Sequence, residues 1–312
     1  MPLTREHIVW AYRILLDRDP ESDAAIQPKL AGCQTTQQLR ADIVTSEEYR
    51  DKNPDFAHTN DRTIVIREFE GGIRLFVDLS DHLIGLPIVR GQYERAELDF
   101  IRRTVMPGDN VLDLGAHIGY FTMHMAAIAG PRGTVTAFEP FEDNAALLER
   151  SIRENQFESR VRLVRAAVSR ASGAIGLAFA AETLNSGGAF LASTPAVPGH
   201  VVRDVRGVAL DAVDLPRPIA FIKMDVEGAE PLALEGAARL LAQDRPVILS
   251  ELHASQLKRV SGVTVDAFLR DLRSIGYRVF QLAGDGPGGT GSEVTTAPPE
   301  PVSSVVLVPE DR

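Results

Sequence analysis

Two groups of polar residues at the ends of apolar runs have the types and spacing to do chemistry. The first is Val111-Leu112-Asp113-Leu114-Gly115-Ala116-His117-Ile118-Gly119-Tyr120, an apolar run with one acid that passes through a glycine-rich turn into a helical pattern. Glycine at 115 and 119 lets the backbone approach a ligand closely, and the start of a helix offers unpaired N–H groups. Twenty residues past Gly119 the next run ends in Phe138-Glu139-Pro140, which puts a carboxylate where a nucleotide ribose presents its two hydroxyls. This is the pattern of a nucleoside site. The second group is Phe221-Ile222-Lys223-Met224-Asp225-Val226-Glu227-Gly228-Ala229-Glu230-Pro231. A strand end with this many charges, followed by a helix with Pro in its first turn, places them at the carboxyl edge of a sheet, where open α/β sheets bind ligands. Glu227 and Glu230 also suit the first turn of a helix as complements to its dipole, whereas Asp225 stands at the strand tip.

The turn itself narrows the ligand. A dinucleotide site wants G-x-G-x-x-G, whose second glycine admits the pyrophosphate, and that position is His117 here. Asp113 ahead of the turn would repel a pyrophosphate but would suit an ammonium or a sulfonium, and S-adenosylmethionine carries both.

Positioning these residues requires strands at fixed spacing. Apolar runs at Val111 to Leu114, Val135 to Phe138, Val161 to Val168, Ile219 to Met224, Val247 to Leu249, Tyr277 to Leu282 and Val305 to Val308 read as strands. Helical patterns begin at Tyr120, span about 143 to 155 and 229 to 242, and run from Val265 to Ile275, with Gly276 in the position that ends a helix. Such alternation predicts an α/β fold: a parallel sheet with helices on both faces. Residues 62 to 78 alternate like a hairpin around Gly71-Gly72. Residues 172 to 215 lack a helical period and read as an insertion on the substrate side, and 284 to 301 as a flexible Gly/Pro/Thr loop.

Residues 1 to 55 form a separate small all-α unit ahead of a domain at 56 to 312. Ile8, Ala11, Tyr12, Leu15 and Leu16 recur at helical spacing until Asp19-Pro20, Leu39, Ile43 and Val44 mark a later helix, and Asn53-Pro54 reads as a linker. The stretch from Ala11 to Pro20, with Thr45-Ser46-Glu47-Glu48-Tyr49, resembles a short helical module of bacterial linker and surface-associated proteins.

Five segments together, Gly91-Gln92-Tyr93-Glu94, Asp113 to Thr122, Ala137 to Pro140, Ala166 to Ser169 and Ile222 to Glu230, resemble the FkbM-type S-adenosylmethionine-dependent methyltransferases over roughly residues 62 to 308. The resemblance implies a Rossmann-like, seven-stranded class I methyltransferase sheet with its last strand antiparallel, S-adenosylmethionine as cofactor, and O-methylation of a hydroxyl on a sugar, polysaccharide, polyketide or similar natural product. It places Asp113, Gly115, Ala116 and Gly119 around the methionine part, Glu139 with Pro140 at the ribose, Asn144 or Ala167 by the adenine, and Tyr93 and Glu94 as a lid. The family commonly has Asn where this chain has His117, which leaves His117 a backbone contact.

For the transfer itself, Asp225 is the first candidate to take the acceptor's proton, with Glu227, Glu251 and His253 as rivals at the same sheet edge. These four could also gather a divalent cation, but no HExxH-type spacing supports one, and no metal is expected. A non-catalytic binding protein that keeps the nucleotide fold, or a nicotinamide oxidoreductase, are the alternative functions.

Composition bounds the partners. The chain has 312 residues, 44% of them hydrophobic, a net charge of -10, and basic residues that are scattered, so a nucleic-acid partner is not expected. No apolar run approaches the roughly 18 residues that cross a bilayer. The lone Cys33 excludes an internal disulfide and fits a reducing, cytoplasmic setting. The expected partners are a small-molecule or glycan acceptor and, through the N-terminal helices, a second copy or another protein.

Overall fold

The structure is a computed structural model and describes residues 3–33, 35–44, 46–52, 63–81, 83–180, 188–192, 200–283, 289–298 and 302–311. The Asn53-Pro54 linker, the boundary at 55/56, and parts of 172 to 215 and 284 to 301 lie outside them. The chain divides into two compact units, Met1–Arg67 with Val77–Val89, and Glu68–Phe76 with Arg90–Arg312.

The first unit opens with four helices, α1 (Arg5–Leu16), α2 (Asp23–Gly32), α3 (Thr36–Val44) and α4 (Glu47–Lys52). In α1 the periodic residues Ile8, Tyr12, Leu15 and Leu16 are buried, and Thr4 and His7 form a reciprocal cap at its start. The helix ends at Leu16, ahead of Asp19-Pro20, because Asp17 turns left-handed at φ 49°. Arg18 pairs with Glu48 at 2.6 Å, and Lys52 donates to the Leu16 carbonyl at 2.6 Å, tying α4 to the end of α1. Leu39, Ile43 and Val44 are buried, as is Cys33. Strands β1 (Ile64–Glu68) and β2 (Arg74–Asp78) follow, with the intervening Glu68–Phe76 counted in the second unit; in the turn Phe69 N–H donates to the Ile73 carbonyl and Gly71 and Gly72 take φ of 80° and 77°. Helix α5 (Gly85–Val89) completes the unit.

The second unit continues with α6 (Arg95–Thr104), β3 (Asn110–Leu114), α7 (Tyr120–Ala129), β4 (Thr134–Phe138), α8 (Glu142–Glu154), β5 (Val161–Val164), β6 (Ala167–Val168), β7 (Gly173–Ala180), β8 (Phe190–Ala192), β9 (His200–Val208) and β10 (Ile219–Met224). It ends with α9 (Glu230–Glu235), α10 (Ala238–Asp244), β11 (Val247–His253), α11 (Ala254–Val260), α12 (Val265–Ser274), β12 (Tyr277–Leu282), β13 (Thr290–Glu293) and β14 (Val302–Pro309). Its main sheet runs β13-β12-β14-β11-β10-β3-β4-β5. Strands β5, β4, β3, β10 and β11 are parallel, and β14 is antiparallel to both β11 and β12. The seven expected strands therefore share this sheet with the last one antiparallel, and β13 adds an eighth at the edge from within the stretch expected to be loop.

Burial on both faces explains the unbroken apolar runs: Leu112, Ile222 and Ile248 on one face and Val111, Phe221 and Leu249 on the other are all buried. From β3 the chain winds outward through β4 and β5, then returns to lay β10 on the other side of β3. The carboxyl ends of β3 and β10 are thus the point where the winding reverses, the crevice in which such sheets bind ligands.

Two expected elements are split. The run Val161 to Val168 breaks after Val164, where Ala166 N–H donates back to the Val164 carbonyl, and its two parts join different sheets. The helix expected at 229 to 242 breaks at Gly236-Ala237, where a side chain on Gly236 would meet the Ser169 carbonyl at 2.2 Å. Residues 172 to 215 supply β7, β8 and β9, which with β6 form a second sheet in the order β6-β9-β7-β8. Ala178 and Phe190 of that sheet pack on Ala229, Leu232 and Val260, next to the turn that follows β10.

Candidate active site

The parallel register sets Asp113 of β3 directly beside Lys223 of β10, one residue short of both strand ends. Both are charged and nearly inaccessible, at 1% and 4% exposure. Charged side chains are seldom buried without partners, and each has them here. Thr122 of α7 donates its hydroxyl to Asp113 at 2.5 Å. The Lys223 ammonium lies 3.3 Å from Asp225, 4.0 Å from Glu94 and 4.9 Å from the centre of the Phe121 ring.

Gly115 and Gly119 are required by protein contacts. At φ 82° and 92° both occupy the left-handed region, and a Cβ on Gly115 would stand 1.9 Å from the Asp225 carbonyl oxygen, one on Gly119 2.3 Å from Leu148. Asp225 N–H donates to the Leu114 carbonyl at 2.9 Å, so the turn after β3 and the tip of β10 are locked together. Ahead of α7 the backbone N–H groups of the turn bond within the protein: Gly115 and Ala116 both donate to the Phe138 carbonyl, and His117, itself left-handed at φ 51°, donates to Glu139 at 2.8 Å.

Glu139, at 5% exposure, gathers several donors. One oxygen accepts from His117 N–H and the other from Phe141 N–H at 2.8 Å, and the buried Asn144 favours its charged form. Asn144, expected by the adenine, thus acts on the Glu139 carboxyl. Pro140 is half-buried beside it. Ala167 is the outlier among the cofactor candidates, since it pairs with Gly207 in the second sheet. Tyr93 is half-buried, with its ring edge-on to Tyr120 at 5.3 Å, and Glu94 takes a left-handed backbone at φ 36° immediately before α6. Neither is a freely solvated helix start.

Past β10, Glu227 is held at φ 55° and accepts from the Gln256 side-chain amide. The buried Glu230 accepts from Val226 and Gly228 N–H at 3.2 and 3.3 Å, which gives it a turn-closing role. Glu251 of β11 is half-buried, and repulsion from Asp225 and Glu94 acts on it. His253 stands two residues further along the same strand, its Nδ1 bonded to the Ser255 hydroxyl at 3.2 Å. Among the described residues no group of three or more His, Cys, Asp or Glu could hold a metal ion, and no helix is long and apolar enough to cross a membrane.

Lys223, Thr122 and Gln256 join the site without having been singled out for it. For Lys223 the signal was present: a lysine between Ile222 and Met224 in a strand buried on both faces needs a buried counter-charge.

Burial pushes the carboxyls up: Asp113 to about 6, Glu139, Glu230 and Glu251 to about 7, and Glu227 to about 8. Repulsion by Asp225 adds to the rise at Asp113, Glu227, Glu230 and Glu251. In the unfolded chain such groups ionise near 4. The folded protein therefore holds protons that the unfolded chain has already released, and stability falls as pH rises through the folded values. The buried His124, lowered to about 4, acts in the opposite sense, but its contribution is complete once the unfolded imidazole is neutral. Between about pH 7 and 8 the carboxyls prevail. The melting temperature of the ligand-free protein should fall across this window in scanning calorimetry, and a flat or rising value would contradict the buried carboxyl cluster.

Residues 113–279 match the family described as Methyltransferase FkbM domain. Over 63 residues the chain is 35% identical to the protein-L-isoaspartate O-methyltransferase of Caenorhabditis elegans, a match that covers 20% of this chain and 28% of that relative's length. The crystal structure of a methyltransferase FkbM from Methylobacillus flagellatus KT aligns with a TM-score of 0.42 at 15% identity, covering 97% of this chain and 58% of that one. An rRNA methylase from Streptococcus thermophilus aligns with a TM-score of 0.39 at 14% identity, covering 73% and 98%. With more than half of its length matched by the family, the chain belongs to the FkbM methyltransferases, a family of S-adenosylmethionine-dependent enzymes.

Proposed function

We propose that the protein transfers the methyl group of S-adenosylmethionine to a hydroxyl oxygen of a sugar, polysaccharide, polyketide or similar natural product. The observation that carries this reading is the charge at the junction of β3 and β10. Carboxyl groups of Asp225, Glu94, Asp113 and Glu251 act on the single ammonium of Lys223. An excess of buried and half-buried acids repels itself, and a cation placed among them relieves the repulsion. The donor set thus fits a cationic donor and disfavours a pyrophosphate.

S-adenosylmethionine supplies an electrophilic methyl on a positively charged sulfur. Glu139 keeps lone pairs beyond those taken by His117 and Phe141, and these would accept the ribose hydroxyls. Asp225 is the base candidate: its backbone is pinned by Leu114 and Gly115, and its carboxylate, 28% exposed, would orient the acceptor hydroxyl and take its proton. Glu227, Glu251 and His253 remain the rivals for that proton. Tyr93 and Glu94 would cover the donor. A cytoplasmic setting and a docking or dimerising role for the N-terminal helices belong to the same proposal, supported by the free Cys33 and by a compact helical unit outside the catalytic one.

Calorimetric titration of the purified protein with S-adenosylmethionine, and separately with NAD, tests the reading. Heat of binding with the first and none with the second is expected. Binding of NAD alone would favour an oxidoreductase, and binding of neither a protein that uses the fold for recruitment.

A further inference from the structure

We propose that Lys223 is a positioning residue for the methyl donor: its buried ammonium fixes the carboxylates of Asp225 and Glu94 beside the Gly115 turn and holds their negative charge there. The role rests on the reading of the site as a methyl-donor site. Lysine at 4% exposure is expensive to bury, and an apolar residue would suit this strand position, since Phe221 and Leu249 on the same face of the sheet are each 1% exposed. What the ammonium provides is a link between elements that no backbone bond supplies. It meets Asp225 past the end of β10 at 3.3 Å and Glu94 ahead of α6 at 4.0 Å, and it lies over the Phe121 ring of α7.

Acids face this cluster from every side. Asp113 comes from β3, bonded by Thr122, and Glu251 from β11. Glu97 of α6 acts on Glu94, and Glu227 and Glu230 lie against Asp225 from the turn after β10. Tyr93 adds a phenol that burial keeps protonated. Among so many acids, carboxylates without a cation would take up protons and lose the charge that favours a sulfonium. Lys223 counters this at Glu94, where burial nonetheless pushes the carboxyl up, and it meets Glu94, itself left-handed at φ 36°, at the entrance to α6.

The test compares S-adenosylmethionine, positive at sulfur, with S-adenosylhomocysteine, neutral there, so that their affinity ratio reads the charge of the site alone. Isothermal titrations between pH 6 and 9 with the intact parent protein should show the preference for the cationic ligand rising with pH. In Lys223→Met the midpoint of that rise should move up by about one pH unit or more. Lys223→Arg should restore it at least in part. Glu94→Gln, which removes one repelling acid and leaves β10 untouched, should move the midpoint down, and it keeps the proposal testable if Lys223→Met does not fold. Equal weakening of both ligands at every pH, or an unmoved midpoint in Glu94→Gln, would show that Lys223 only packs and would overturn the proposal. If the parent binds neither ligand, the methyl-donor reading fails and this role fails with it.

Discussion

Replacing Asp225 with asparagine should lower methyl transfer roughly 100-fold or more while leaving donor affinity within a few fold. Asparagine keeps the size of the side chain, and the backbone at this position is held independently of it. Asp225 N–H is bound to the Leu114 carbonyl, and its own carbonyl fills the space that Gly115 leaves open. What the substitution removes is one negative charge and the capacity to take a proton. Donor affinity changes by no more than a few fold because Glu94, Asp113 and Glu251 still surround Lys223, and Asp113 and Glu251, freed from repulsion by Asp225, hold their negative charge more readily. Turnover does not, because the acceptor hydroxyl loses both its orienting partner and its proton sink. The measurement needs an acceptor, so a screen of sugar and polyketide hydroxyls with the parent protein comes first. If Asp225 only balanced charge, affinity would fall and turnover at saturating donor would persist. Full turnover in Asp225→Asn, with loss in Glu251→Gln or His253→Ala, would assign the base to β11.

Much of this arrangement could be read from the chain alone, for a physical reason. Parallel strands buried on both faces leave continuous apolar runs, so β10 was bounded at Ile219–Met224, and the tips that carry Asp113, Glu139 and Asp225 followed. What escaped depends on contacts between distant segments. The interruption at Gly236 arises where the Ser169 carbonyl presses close, and the break after Val164 where the chain passes from one sheet to the other. The glycines at 115 and 119 were read as room for a ligand, whereas Asp225 and Leu148 occupy that room. Thr122 against Asp113 and Gln256 against Glu227 are pairs brought together by packing of separate elements. Sequence spacing located the acids; the fold supplies their partners.

Glu139→Ala should weaken S-adenosylmethionine binding by about 1–3 kcal/mol, the scale for hydrogen bonds to a charged group, which is roughly 5- to 150-fold. The same loss should appear with S-adenosylhomocysteine, because the ribose is common to both and the sulfur charge is not involved. That equality separates Glu139 from Lys223, whose replacement should change the ratio of the two ligands. The variant will also be less stable, since His117 and Phe141 N–H lose their acceptor in a site that is only 5% exposed at the acid. Affinities are therefore to be compared at a temperature where urea titration shows both proteins fully folded. Glutamine is not a milder substitute: its amide would present a donor to one of two backbone donors. A folded Glu139→Ala that binds both ligands as tightly as the parent would remove the ribose from the tip of β4.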